Sequence, residues 1–186
     1  VRGGAVGVAL RGEFVPFALR DRQGADVKRR IAAVVAELVR DGEAVALDNG
    51  TTCLAVAREL SGRPLTVMPL SVHAAVVLGQ SDRTKVILPG GEIQPSELAA
   101  YGAAAEAAVR AIHFDTAVVS SCAALPAHGL TTNTLSDAAM KRALLESAAR
   151  VVVAIESHKL ERTAMAAVAG PDVIDVLVTD EAADAD

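Results

Sequence analysis

The chain has 186 residues with 18 Lys+Arg against 23 Asp+Glu, a formal net charge of −5, and is 52% hydrophobic but only 2% aromatic. That length suits about one domain with a core of its own. The apolar content excludes a disordered chain, and no Gly triplet or sustained heptad supports collagen or a coiled coil.

Residues 1–24 follow neither the helical nor the strand period. Gly3-Gly4 and Gly12 break the segment, which reads as a linker with a strand-like lead-in. Phe14 and Phe17 could pack on the α/β domain expected over residues 25–186. The chain opens on Val1, so a missing upstream segment is expected. Over residues 26–39, Val27, Ile31, Val34, Val35 and Leu38 recur at three- and four-residue steps and predict a helix that Asp41-Gly42 ends. Strands are then predicted at 44–47, 65–68, 85–88 and 116–120, alternating with helices at 51–60, 71–78, about 97–111 and 136–149. Two more strands, 150–155 and 173–178, flank a short predicted helix around 163–168. Such alternation implies right-handed crossovers and a doubly wound, mostly parallel α/β sheet. The Ala, Val, Leu and Ile mass suits strands covered on both faces.

In such a sheet, ligands bind beyond the carboxyl ends of the strands. The loops to watch are therefore 48–52, 69–71, 89–92, 120–122 and 156–159. Asp48-Asn49-Gly50-Thr51-Thr52 lies between a strand and a helix. Gly50 can make the tight turn, and the Thr51 and Thr52 amides and hydroxyls can then meet an anion at the positive end of the helix. The competing reading is that Thr51 simply caps that helix. The loop is neither a P-loop nor a dinucleotide fingerprint. Pro89-Gly90-Gly91-Glu92 offers either a close approach to a ligand or a plain turn. The chain has only four lysines, and Lys141 and above all Lys159, beyond a strand at Glu156-Ser157-His158, are candidate phosphate partners. A solvated surface role is the alternative for both.

The four histidines lie far apart without partners at ligand spacing, so neither a metal nor a cofactor is expected. His128 sits in a loop able to cover the pocket. Cys53 reads as a small buried filler. No Gly-x-Ser-x-Gly elbow occurs. Two isolated cysteines, no long apolar run and no signal-like N-terminus point to a cytoplasmic protein. An acidic chain without a dense basic block is a poor nucleic-acid binder by itself.

Taken together, the motifs resemble the C-terminal effector-sensing domain of DeoR/GlpR-type bacterial transcription regulators. The resemblance rests on Val1-Arg2-Gly3-Gly4-Ala5, Lys28 with Ile31-Ala32, and Asp41-Gly42-Glu43 leading into Leu47-Asp48-Asn49-Gly50-Thr51-Thr52. It continues through Leu88-Pro89-Gly90-Gly91, Gly102, Asp115, Gly129-Leu130-Thr131, Lys141, Ser157-His158-Lys159 and Val178-Thr179-Asp180. It implies a fold similar to ribose-phosphate isomerase and the CoA transferases, with the Gly-Thr-Thr and Gly-Gly loops and Ser71 lining a phosphosugar pocket. It also implies an N-terminal winged helix-turn-helix that reads DNA, expected to lie upstream of this chain, and a dimer or tetramer. The chain departs from the family where Pro69-Leu70-Ser71 replaces the usual Thr-Asn-Ser, where Glu156 replaces an Asp, and at Glu161, where a Gly is common.

The function expected is that of a non-enzymatic sensor for a phosphorylated sugar or related metabolite, without membrane contact. A sugar-phosphate isomerase would need a carboxylate base, Asp48 or Glu92, working with an electrophilic lysine such as Lys159. An oligomerisation module with a vestigial pocket is the third reading.

Overall fold

The computed structural model describes residues 15–183. Along the chain run α1 (Phe17–Arg22), α2 (Ala25–Leu38), β1 (Ala44–Leu47), α3 (Thr51–Leu60), β2 (Thr66–Pro69), α4 (Val72–Leu78) and β3 (Lys85–Val86). They are followed by β4 (Glu92–Gln94), β5 (Ala99–Tyr101), α5 (Ala103–Arg110), β6 (Thr116–Val119), β7 (Ala123–Leu125) and β8 (Gly129–Thr132). The last elements are α6 (Leu135–Glu146), β9 (Val151–Ala154), β10 (Ala166–Ala169) and β11 (Val176–Val178), with short 3-10 turns at Ser157–Lys159 and Pro171–Val173.

Six strands form one parallel sheet in the order β3-β2-β1-β6-β9-β11. The chain winds outward from β1 to β3 on one side, then crosses back to lay β6 against the other edge of β1. The reversal point between β1 and β6 is where a doubly wound sheet opens a crevice.

Both sheet faces are covered, which explains the aliphatic strands. Successive strand side chains point to opposite faces, so Val45 and Leu47 enter the cluster under α2, α3 and α4, while Ala46 joins the one under α5 and α6. Val67 and Met68 divide the same way. β7, β8 and β10 make a small antiparallel sheet, whose Leu130 and Val168 pack with Val153 and Ile155 in a third cluster.

The structure corrects several expectations. Residues 17–22 are helical instead of strand-like. Phe17 packs against the core and stacks on His73 with ring centroids 4.2 Å apart, whereas Phe14 lies outside the described residues. The helix expected over 97–111 is shortened to α5, because residues 99–101 pair with Glu92–Gln94 as a hairpin and Gly102, at φ +91°, separates strand from helix. An alanine-rich run has no contrast from which to read a period, and tertiary pairing decides it. The same holds at 163–168. Ala166 and Val168 are buried and Ala167 is exposed, a strand alternation, and β10 pairs with β8 there. The connection expected between β6 and α6 itself contains β7 and β8. Among the described residues no helix is long and apolar enough to cross a membrane.

Candidate functional site

A cavity of about 890 Å³ opens beyond the carboxyl ends of β1 and β6, walled by α1, α2, the β4–β5 hairpin, α6 and the turn after β9. Its floor is a buried polar network. Asp48, the residue after β1, is fully buried, and its Oδ2 accepts from the Ser120 amide at 3.0 Å and from the Lys141 ammonium. Lys141 also lies 3.4 Å from Asn49 Oδ1 and 3.5 Å from Asp137 Oδ2. Asn49 Nδ2 donates to Tyr101 Oη at 2.8 Å, and Tyr101 donates in turn to Asp137 Oδ1 at 3.1 Å. Thr132 Oγ1 donates to the other Asp137 oxygen.

Burial alone would favour a neutral Lys141 amine, but the Asp137 and Asp48 carboxylates outweigh it and hold the ammonium above the usual lysine range. Burial pushes the Asp48 carboxyl up, while Lys141 pulls it back. The Tyr101 phenol is pushed well up by burial and by Asp137, so it stays a hydroxyl. The floor thus offers fixed donors and acceptors suited to hydroxyl groups. It offers no neutral amine, and one of its oxygens, Asp48 Oδ1, has no partner among the described residues.

Beside this floor, the cavity is lined by the start of α3 and by basic side chains from α1, α2 and the turn after β9. Gly50 takes φ +96° as the N-cap of α3, no side chain caps the helix, and Thr51 and Thr52 follow as its first two residues. The first amides of a helix have no acceptor within it and carry the positive end of its dipole. Thr51 is therefore inside the helix, not capping it. Lys28, Lys159, Arg20 and Arg162 line the same cavity. Glu156, buried two residues beyond the end of β9, lies between two of them: Oε1 is 2.9 Å from Lys159 Nζ and Oε2 is 4.0 Å from Lys28 Nζ. The turn bearing Lys159 is tied down by Asp180, which accepts from the Ser157 amide and hydroxyl, each at 2.8 Å. Partial burial opposes ionisation of Asp180, but these Ser157 bonds outweigh it and hold the carboxyl below its usual range. Burial also lowers the pKa of His158 beside them.

A sequence model of the DeoR C-terminal sensor domain matches residues 23–181. The chain belongs to that family. Among relatives of the DeoR sensor, the HTH-type transcriptional repressor GlcR of Bacillus subtilis is 28% identical over 179 residues, covering 96% of this chain and 69% of the relative. The HTH-type transcriptional regulator GlpR of Haloferax volcanii is 33% identical over 186 residues, 99% of this chain and 72% of its own length. The chain is thus similar to the larger part of proteins named as transcription regulators. Solved structures of other proteins share the fold. Ribose 5-phosphate isomerase A from Methanocaldococcus jannaschii has a TM-score of 0.54 and 17% identity over 74% of this chain. The delta subunit of eIF2B from Chaetomium thermophilum has a TM-score of 0.59 and 15% identity over 87% of it. The chain spans just over half the length of each of these structures.

Of the residues singled out in the sequence, the DeoR sensor fold brings Asn49, Gly50, Thr51, Thr52, Lys141 and Lys159 to the cavity, with Asp48 beneath them. Lys141 is the deeper of the two lysines. Ser71, Gly90, Gly91, Glu92 and His128 do not line it. Ser71 is buried at the start of α4, Gly90 and Glu92 are exposed, and His128 is exposed in the β7–β8 turn. Gly91 is pressed against the hairpin, where a Cβ would stand 2.6 Å from the Tyr101 carbonyl oxygen. Tyr101, Thr132 and Asp137 are not among the residues singled out in the sequence, and Lys28 and Asp180 enter there only through the family resemblance, not as site residues. Two carried a signal. Asp137 and Lys141 are four apart on one helix, and Lys28 shares the apolar phase of Ile31, Ala32 and Val35, which directs it inward.

Proposed function

We propose that this DeoR sensor domain binds a phosphorylated sugar or a closely related metabolite, and that residues 25–186 form the sensing unit. The phosphate is received by the first amides of α3, the Thr51 hydroxyl, Lys28 and Lys159, and the sugar hydroxyls by Asn49, Tyr101, Asp137 and the Asp48–Lys141 pair. One observation carries this reading: a single cavity joins a cationic helix N-terminus to a buried network of hydroxyl partners. Binding without turnover is favoured because neither candidate isomerase base lines the cavity: Asp48 lies beneath it, held by the Ser120 amide and the Lys141 ammonium, and Glu92 is exposed outside it. Occupancy then alters DNA binding by a helix-turn-helix unit in a symmetric homo-oligomer working in the cytoplasm, since reading two half-sites calls for a self-complementary assembly.

The test is a thermal-shift screen of the chain against pentose and hexose phosphates beside their unphosphorylated sugars. A ligand at a hundred times its Kd stabilises by about 2.7 kcal/mol. A shift specific to the phosphorylated forms, lost in Thr51→Val, is expected. Equal shifts with the unphosphorylated sugars would remove the phosphate from the reading, and isomerase turnover of any bound sugar would make the domain an enzyme.

A further inference from the structure

Lys28 joins two features that the sensing function treats separately. Its stem runs from α2 into the cavity, and its ammonium donates to the carbonyl oxygens of Arg20, inside α1, and of Gln23 at the end of α1, the latter at 2.6 Å. It is buried, and apart from those carbonyls its nearest charged partner is Glu156 at 4.0 Å. The second tie on α1 also reaches the cavity: the Arg20 guanidinium pairs with Glu97 in the β4–β5 hairpin. Beyond Phe17, none of the six residues of α1 belongs to a core cluster, and no residue of α1 is fully buried. Besides the Asp21–Arg58 pair and the Phe17–His73 stack, the helix is held by two cations that an anion in the cavity would also attract.

We infer that Lys28 couples the cavity to α1, so that an anion bound at the start of α3 draws the ammonium off the α1 carbonyls and loosens that helix. The inference rests on the reading of the cavity as a phosphate site. A phosphate oxygen is a charged acceptor and forms a stronger, shorter bond than a neutral carbonyl. Burial already strains the ammonium, lowering the pKa of Lys28, and an anion nearby relieves that. The chain preceding residue 17 joins the domain through α1, so loosening it changes how that segment is held. This supplies a link between an occupied pocket and the N-terminal side of the chain without movement of the central sheet.

Hydrogen–deuterium exchange of the full 186-residue chain tests the inference, with inorganic phosphate, ribose 5-phosphate and glucose 6-phosphate as probes. A probe that binds is expected to slow exchange at residues 51–54 and to accelerate it at residues 19–23 by about tenfold, the factor given by losing one hydrogen bond to a charged group. In Lys28→Met the 19–23 amides exchange fast from the start, and no probe accelerates them further. In Glu97→Gln, which loosens α1 without touching Lys28, a bound probe still accelerates them. Slower exchange at 51–54 with unchanged or slower exchange at 19–23 overturns the coupling and leaves the phosphate site standing. No change at 51–54 with any probe overturns both. The wild-type measurement decides the matter even if Lys28→Met does not fold.

Discussion

Lys141 on α6 and Asp48 after β1 are 93 residues apart in sequence and form a buried ion pair, 3% and 0% exposed, that ties the two halves of the sheet together. Removing one member of such a pair leaves the other charged and desolvated, which costs about 3–5 kcal/mol. Lys141→Met is expected to be destabilised by that amount in urea denaturation, and Asp48→Asn combined with it should recover part of the loss. Because the carboxylates hold the ammonium above its ordinary value of 10.5, the contribution of Lys141 is fully present below that pH and is lost as pH rises beyond it. An alkaline unfolding curve as steep in Lys141→Met as in the wild type would contradict this.

At the anion end, Thr51→Val keeps shape and removes one hydroxyl, while Lys159→Ala removes a charge. Each is expected to weaken binding of a phosphorylated sugar by about 1–3 kcal/mol, read by isothermal titration, with little change in melting temperature. Full affinity in both variants would relocate the phosphate.

Two glycines with positive φ should respond very differently to alanine. At Gly129, φ +65°, a Cβ would stand 2.0 Å from the Ala169 carbonyl oxygen where β8 meets β10. Left-handed strain and a forced strand separation add to about 3–5 kcal/mol. At Gly90, φ +73°, nothing lies within 4 Å, so only the backbone strain of about 1–2 kcal/mol remains. Equal melting temperatures for the two variants would refute the close approach.

The cysteines provide a probe of the cavity. Cys53 is buried in α3, and burial followed by the Asp48 charge pushes its thiol far up, so it should resist alkylation in the native state. Cys122 is exposed on the cavity wall, 3.3 Å from Thr132 Oγ1. Mass spectrometry after iodoacetamide treatment should find Cys122 modified first, and more slowly once a ligand fills the cavity.

The strand-helix order and the Asp48–Thr52 turn were legible because each rests on local contrast: aliphatic runs, an Asp-Gly stop, a glycine before two threonines. The lost elements lack that contrast. Ala99–Tyr101 and Ala166–Ala169 are strands only because β4 and β8 lie beside them. The same limit governs the site. Tyr101 reaches Asn49 through the β4–β5 hairpin, and Thr132 reaches Asp137 through the return of β8, pairings that no spacing within one segment reveals. Gly90-Gly91 sits next to Asp48-Thr52 in a list of strand ends, yet Gly91 meets the hairpin rather than the cavity.

Glu156 gives the cavity a resident counter-ion. With its two oxygens facing Lys159 and Lys28, the cationic end is already partly neutralised before anything enters. An incoming anion must therefore outcompete a carboxylate that is covalently part of the chain and never diffuses away. Chloride, or a singly charged metabolite making one weak contact, gains little by the exchange. On the proposed phosphate reading, a dianion that also reaches the helix amides gains more, so this carboxylate would set a threshold that singly charged small anions do not pass.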